Sequence, residues 1–169
     1  TDFQVVRLGM HKSHVSEGRS LMMLKALSTD GEQFVVKAKK RFSEQWPDLL
    51  CRQFSDIATE QVMSLSQMLD DDDINLSEQD WQDINSFAKH LRGYEFCQLA
   101  IRRFVVAQLP KTQFLSLSEF NQRLLILLVI QEKSWAKTAE VVGKTGKNEL
   151  VTNLRRAVVE LISYHKGEL

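Results

Sequence analysis

The stretch Gly143-Lys-Thr-Gly-Lys147 holds the residue types that cradle phosphate, glycines interleaved with lysines. A phosphate loop needs GxxxxGK followed by Ser or Thr, after a strand, so that backbone N–H groups and the lysine meet the anion while the hydroxyl meets Mg²⁺. Here the glycines stand only three apart, Asn148 takes the place of the hydroxyl, and helical periodicity precedes the stretch. It reads as a turn rather than a nucleotide site, with Lys144 and Lys147 left as possible phosphate contacts. Asp70-Asp-Asp-Asp73 sets four carboxylates side by side, without the alternation, central glycine and late glutamate of an EF-hand, and reads as a solvated acidic connector. His11 and His14 have no further ligand pair at useful spacing, so they read as solvated or nucleic-acid-facing imidazoles. Cys51 and Cys97 form no CxxC and sit in apolar helical patterns, as buried free thiols do. There is no GxSxG, no HExxH, and no cysteine beside a recognisable base. The residues nominate no nucleophile, general base or metal site.

What does stand out is the distribution of charge. The 169-residue chain carries 22 Lys and Arg against 22 Asp and Glu, for a formal net charge of zero. Residues 1–41 nevertheless hold a net +4, residues 42–99 a net −9, and residues 100–169 a net +5. Basic ends around an acidic middle point to a polyanionic partner for the ends. With 43% hydrophobic residues, the chain can bury an ordinary core. Its longest apolar run, residues 124–130, falls far short of the roughly 20 residues that span a bilayer, so no membrane is expected. Nothing in the cysteine pattern suggests an oxidising compartment, and a cytoplasmic setting is expected.

The elements that must position these charges are mostly helices. Residues 3–9 and 21–27 are the only sheet-forming material, two runs joined by a polar loop over residues 10–20 that carries His11, Lys12 and Arg19. The second run lacks alternation, as a strand buried on both faces would. From residue 30 onward the pattern is helical. Residues 32–46 form one amphipathic stretch, with Pro47 opening the next, over 48–69. In that second stretch Leu50, Phe54, Ile57, Leu65 and Met68 share a stripe, and Met63 and Met68 read as core filler. Ser77–Asp80 and Ser116–Glu119 have the form of capping boxes, stapled by Leu76 with Trp81 and by Leu115 with Phe120. Gly93 reads as a left-handed helix stop and Pro110 as the end of the helix over 94–109. Residues 124–130, apolar all round, read as the hub of the bundle. Residues 135–142 and 149–164 then give helix, turn, helix. The spacing of Ala139 and Gly143 suits a DNA-binding helix-turn-helix, but Glu149 stands where that motif needs an inward apolar residue. The expected fold is mainly α: a bundle of six or seven helices preceded by a two-stranded β-hairpin.

Taken together, the run Phe3-Gln-Val-Val-Arg-Leu-Gly9, the His11-Lys12 pair with Gly18, the run over 21–27, the acidic-then-helical stretch 70–81 and the helices from Leu115 to Tyr164 resemble the C-terminal part of the bacterial tRNA(Met) cytidine acetyltransferase family. The resemblance covers nearly the whole chain, and lies in the order of parts rather than in one motif. It implies that residues 1–29 are the last two strands of a GNAT-type acetyltransferase domain, and that residues 30–169 form a helical tRNA-binding domain. It also implies a parent enzyme that acetylates N4 of the wobble cytidine of elongator tRNA(Met), with acetyl-CoA and ATP bound upstream. Neither the family's phosphate loop nor its acetyl-CoA signature is found in this sequence, so the stretch alone is not expected to be catalytic or to hold a cofactor.

The resemblance makes tRNA the partner, beside the upstream acetyltransferase and ATPase-helicase domains. Since Lys and Arg dominate affinity for phosphate, the candidate contacts are Lys12 and Arg19 in the hairpin loop, Lys37, Lys40 and Arg41 on the first helix, and Lys144, Lys147, Arg155 and Arg156 near the end. A hairpin without its native neighbour is expected to have its edge covered by helices or paired with another copy. Two rival readings remain from the residues: a helical protein-interaction domain docking an acidic partner or the upstream modules, and a helix-turn-helix DNA-binding protein.

Overall fold

The computed structural model describes residues 2–12, 18–70, 75–144 and 146–166. Strands β1 (Gln4–Lys12) and β2 (Arg19–Leu24) precede helices α1 (Thr29–Cys51), α2 (Thr59–Ser66), α3 (Glu78–Ala88), α4 (Tyr94–Gln108), α5 (Thr112–Leu115), α6 (Glu119–Leu125), α7 (Trp135–Val142) and α8 (Lys147–Lys166). The mainly α fold with its N-terminal hairpin is as expected, and α5 is a single turn. The chain divides into two compact units, Thr1–Asp70 and Asp71–Leu169.

In the first unit, β1 and β2 are antiparallel, pairing Val5 with Met23, Arg7 with Met22 and Leu8 with Leu21. Val6 has no place in that register, so β1 bulges there. A bulge adds one residue to one strand and shifts its alternation. That shift explains how Val5 and Leu8, three apart, are both buried. Gly9 allows the strands their close approach, because a Cβ there would run into the Ser20 side chain and stand 3.2 Å from its carbonyl oxygen. Strand β1 packs against α1. The hairpin is not buried on both faces as expected: Met22 and Met23 are exposed, and Leu27 is 92% exposed. Among the described residues neither strand pairs with a third.

Helix α1 starts at Ser28, whose hydroxyl accepts from the Gly31 N–H at 3.2 Å, with Asp30 and Glu32 in the first turn to meet the positive end of the helix dipole. It runs straight through Pro47, where the sequence predicts a boundary. Proline in a helix interior removes a hydrogen bond and costs about 3 kcal/mol. Burial on both sides of it outweighs that penalty: Trp46, 2% exposed, packs on Phe42 and Phe54, and Leu50 is fully buried. Trp46 also donates its indole N–H to Ser66 Oγ at 2.9 Å, which ties α1 to α2. The helix ends instead at Cys51, and the expected single stripe over 48–69 is broken by the turn before α2. Met68 lies past the end of α2 and is 48% exposed, so it is not core filler.

The second unit is built on α4, the π-helical turn Ile126–Ile130 that continues α6, and α8. Every residue of Leu124–Ile130 is buried, as a hub must be. At the wide turn the last carbonyls have no helical partner, and Arg102 donates to Val129 O and Ile130 O, both at 2.8 Å. On α8, Leu150, Leu154, Ala157, Val158 and Leu161 face inward as their spacing predicts.

Helix boundaries in this unit follow side-chain caps where the caps are local. Ser77 and Asp80 form the expected capping box, Ser77 Oγ accepting from the Asp80 N–H and Asp80 Oδ2 from the Ser77 N–H at 3.0 Å. Two expectations are corrected. Gly93 does not stop α3; His90 does, at φ 61°, with Leu91 N–H on Ser86 O at 2.8 Å and His90 N–H on Phe87 O at 3.2 Å, while Gly93 precedes α4 in extended conformation. The cap of α6 is Ser118 rather than Ser116, accepting from the Asn121 N–H at 3.3 Å. Gly143 ends α7 in the left-handed region at φ 69°, as expected.

Candidate nucleic-acid interface

The nine cations nominated from the sequence fall into three kinds once their partners are known. Lys37, Lys40, Arg41 and Arg156 are exposed and make no hydrogen bond or ion pair among the described residues. Lys12, Lys144 and Lys147 are accessible but paired, Lys12 with Asp56 at 2.9 Å, Lys144 with Glu149 at 2.8 Å and Lys147 with Glu95 at 2.8 Å. Arg19 and Arg155 are built into the fold.

Arg19 shows how thoroughly a cation can be committed. Its guanidinium reaches Asp56 at 2.9 Å, donates to Met10 O, and lies 5.0 Å from the centre of the Phe54 ring. Its side chain is only 12% exposed. Asp56 thereby receives Lys12 and Arg19 together. The hydrogen bond from Lys12 holds its carboxyl below the usual range against the opposing effect of burial, with Arg19 adding to the shift. This charged cluster ties the loop end of the hairpin to the turn that follows α1. Arg155 donates Nε to Phe87 O at 2.7 Å and stacks 4.6 Å over the Phe87 ring, so it joins α8 to the end of α3. Arg19 has its guanidinium nitrogens turned into the protein, while Arg155 commits its Nε and the face of its guanidinium.

The unpartnered cations of the first unit share one helix face. At 3.6 residues per turn, Phe34, Lys37, Lys40 and Arg41 span about 120° of α1. Phe34 is 64% exposed beside them, offering an aromatic surface of the kind on which bases stack. The exposed acid Glu44, one turn beyond Lys40 and Arg41, lies on the same face without pairing with either, while Asp70 is taken by Lys39 at 2.8 Å. The structure adds a residue that the sequence did not single out. Arg7 of β1 is exposed and without a partner, and it lines a cavity of about 370 Å³ with Ala38, Arg41 and Gln45. The bulge at Val6 sets the register that presents Arg7, and no alternation pattern announces it.

In the second unit, Arg156 lies on an α8 stripe with Thr152, Val159, Ser163 and Lys166, all at turn spacing. Lys166 is likewise exposed and unpaired among the described residues. The turn between α7 and α8 does not fit a nucleotide phosphate. It joins two helices rather than following a strand, and its lysines are engaged with Glu149 and Glu95. Lys147 in turn holds the Glu95 carboxyl below its ordinary range.

The remaining candidates for chemistry resolve simply. Cys97 is buried and its thiol is pushed up by that burial, away from the reactive thiolate. His11 is exposed, and His14 lies outside the described residues, as does most of the acidic run at 70–73. Among the described residues no group of three or more His, Cys, Asp and Glu is placed to hold a metal ion. Among them, too, no helix is long and apolar enough to cross a membrane.

Residues 31–167 match a family model described as a tRNA-binding domain. Two curated relatives carry the same printed name, tRNA(Met) cytidine acetyltransferase TmcA. That of Nitrosococcus halophilus is 28% identical over 169 residues, covering 99% of this chain and 23% of the relative. That of Haemophilus ducreyi is 29% identical over 104 residues, covering 62% of this chain and 16% of the relative. The chain thus spans less than a quarter of the length of either.

Proposed function

The chain belongs to the family of tRNA-binding domains, matched over residues 31–167, and on that premise we propose that it grips tRNA through the unpartnered cations of α1 and α8 on behalf of a tRNA cytidine acetyltransferase. The observation that carries the assignment of residues is the cluster of Lys37, Lys40 and Arg41, free of protein partners, with Arg7 and the exposed ring of Phe34 beside it. Cations already held by carboxylates gain less from a phosphate than cations that are not. Tetrahedral phosphate oxygens along an RNA backbone supply what these three lack.

The similarity to the cytidine acetyltransferases extends through residues 1–29, since one alignment covers 99% of the chain. We assign that hairpin to the edge of an acetyltransferase sheet lying upstream, which would take up an unpaired strand edge and the exposed Met22 and Leu27. Residues 30–169 form the RNA-gripping part in this reading. Acetyl-CoA and ATP would bind to that upstream portion, in a cytoplasmic enzyme whose product is N4-acetylcytidine in the wobble position of elongator tRNA(Met). The edge is assigned to the parent sheet in preference to a second copy of the chain.

The test is tRNA binding by the chain as a function of salt. Each phosphate neutralised contributes about 0.7 to 0.9 to the slope of log K against log salt. Replacing Lys37, Lys40 and Arg41 by Glu should weaken binding more than tenfold at low salt and flatten that slope by roughly 2 units or more. An unchanged slope would remove α1 from the interface. No tRNA affinity at low salt would defeat the reading as a whole.

A further inference from the structure

The second unit contains a pocket remote in character from the lysine and arginine stripes. It has a volume of about 430 Å³ and is lined by Asn75, Leu76, Trp81, Gln108, Lys111 and His165, with Ala107 behind. Its chemistry is planar and amide-rich. The indole of Trp81 packs on the buried Phe104 with ring centres 5.4 Å apart. The imidazole of His165 is stacked on the same indole at 5.4 Å and 30°.

Gln108, only 2% exposed, donates Nε2 to His165 Nδ1 at 3.3 Å, and its Oε1 is buried with no partner among the described residues. Turning the amide over exchanges which end is orphaned and leaves the number unchanged. Buried polar atoms are nearly always hydrogen-bonded, so an orphan beside a cavity marks a place where a partner is missing. His165 itself shows what kind of group this corner accepts: a flat nitrogen heterocycle, stacked on Trp81 and hydrogen-bonded to Gln108.

We propose that this pocket takes a nucleobase turned out of the RNA strand. The proposal rests on the tRNA reading above and names a base-recognition site within it. The base stacks on Trp81 in the place that His165 holds, and its polar edge meets the amides of Gln108 and Asn75. Unstacked bases are read in this way, by aromatic faces together with hydrogen bonds to the base edge. His165 is the second-last described residue of α8, so the imidazole can yield its position to the base without disturbing the buried Leu150–Leu161 face. Positive charge at the rim from Lys111 suits the sugar-phosphate that would follow the base.

The discriminating probe is a short single-stranded RNA compared with an abasic oligomer of equal length, which keeps the phosphates and removes the bases. Stacking on an aromatic side chain should make the 169-residue chain bind the base-bearing oligomer roughly 5- to 100-fold more tightly. Trp81→Leu should bring that ratio close to one. Trp81 also packs in the core, so a second measurement uses the unaltered chain: tRNA carrying 4-thiouridine is photocrosslinked and the modified peptide identified. Crosslinks at Trp81 or His165 are expected. Equal affinity for the two oligomers in the unaltered chain, or crosslinks confined to other segments, would overturn the pocket assignment. Loss of tRNA binding altogether would instead defeat the underlying reading, and only that outcome abolishes the salt-dependent affinity.

Discussion

Arg155 and Arg156 are adjacent, carry the same charge, and should behave oppositely when replaced by methionine. Arg155→Met keeps most of the aliphatic stem and deletes the guanidinium, which donates to Phe87 O at 2.7 Å and lies 4.6 Å over that ring. A hydrogen bond from a charged donor contributes about 1.5–3 kcal/mol, and a partly exposed cation–π contact about 0.5–1 kcal/mol. The carbonyl also accepts from the His90 N–H at 3.2 Å, so it is not orphaned by the change, and the lower end of the range applies. The expected loss is about 2 kcal/mol, which at a urea m-value near 2 kcal/mol/M moves the midpoint down by about 1 M. Arg156→Met removes an exposed side chain without a partner and should leave stability within about 0.5 kcal/mol. Its effect should appear in tRNA binding, as a salt slope lower by about 0.7–0.9. Urea titration followed by far-ultraviolet circular dichroism, paired with filter binding at several salt concentrations, reads both quantities. The reasoning is refuted if Arg155→Met is as stable as the unaltered chain, or if the folded Arg155→Met protein loses tRNA affinity as Arg156→Met does.

Asp80 is held below the usual carboxylate range, chiefly by the Ser77 hydroxyl and, against burial, by the Ser77 N–H and Arg103. A depressed folded value means that its contribution is present above the unfolded pKa of about 3.9 and is lost as pH falls through the folded value. Asp80→Ala should therefore cost about 1–2 kcal/mol at pH 7, and the gap to the unaltered chain should close in urea titrations taken progressively below pH 4. A gap that stays constant with pH would show that the charge is not what matters. Gly143→Ala should destabilise by about 1–2 kcal/mol, because φ is 69° and a Cβ there meets nothing within 4 Å, leaving only backbone strain. Gly146→Ala, equally free of neighbours but without the left-handed angle, should be close to neutral by the same thermal or urea assay.

Features decided within a few residues were legible in the sequence, and features decided across the fold were not. The Ser77–Asp80 box and the Gly143 stop were readable because both partners lie in one turn of chain. Pro47 misled because the helix there is held by burial of Trp46 and Leu50, which outweighs a local penalty. Gly93 misled because a histidine three residues earlier adopts the left-handed conformation first, and the two motifs differ little in composition. In the site, the sign of the charge was legible and its availability was not. Lys147 finds Glu95 at a separation of 52 residues, Arg19 finds Asp56 at 37, and Arg155 finds Phe87 O at 68. No periodicity reports such pairings. Arg7 escaped for a similar reason, since only the bulge at Val6 decides which side of β1 it occupies.

These pairings rank the cations by how much each can give to a polyanion, which a net charge of zero conceals. Lys37, Lys40, Arg41 and Arg156 lose nothing of the fold when a phosphate approaches. Lys12, Lys144 and Lys147 must exchange a carboxylate for it. Exposed ion pairs contribute about 0–1 kcal/mol, and the side chains of Lys12 and Lys147 are 56% and 53% exposed, so the exchange is cheap, and at high salt nearly free. Arg19 and Arg155 are committed to Phe54 and Phe87 by contacts that hold elements together. Charge reversal at the first kind should therefore change binding alone, at the second kind binding with a small change in stability, and at the third kind stability before anything else. Net charge and mere position along the chain both treat the nine residues as equivalent. On the proposed reading, the donor groups left without a protein acceptor are what would make a neutral chain attractive to RNA.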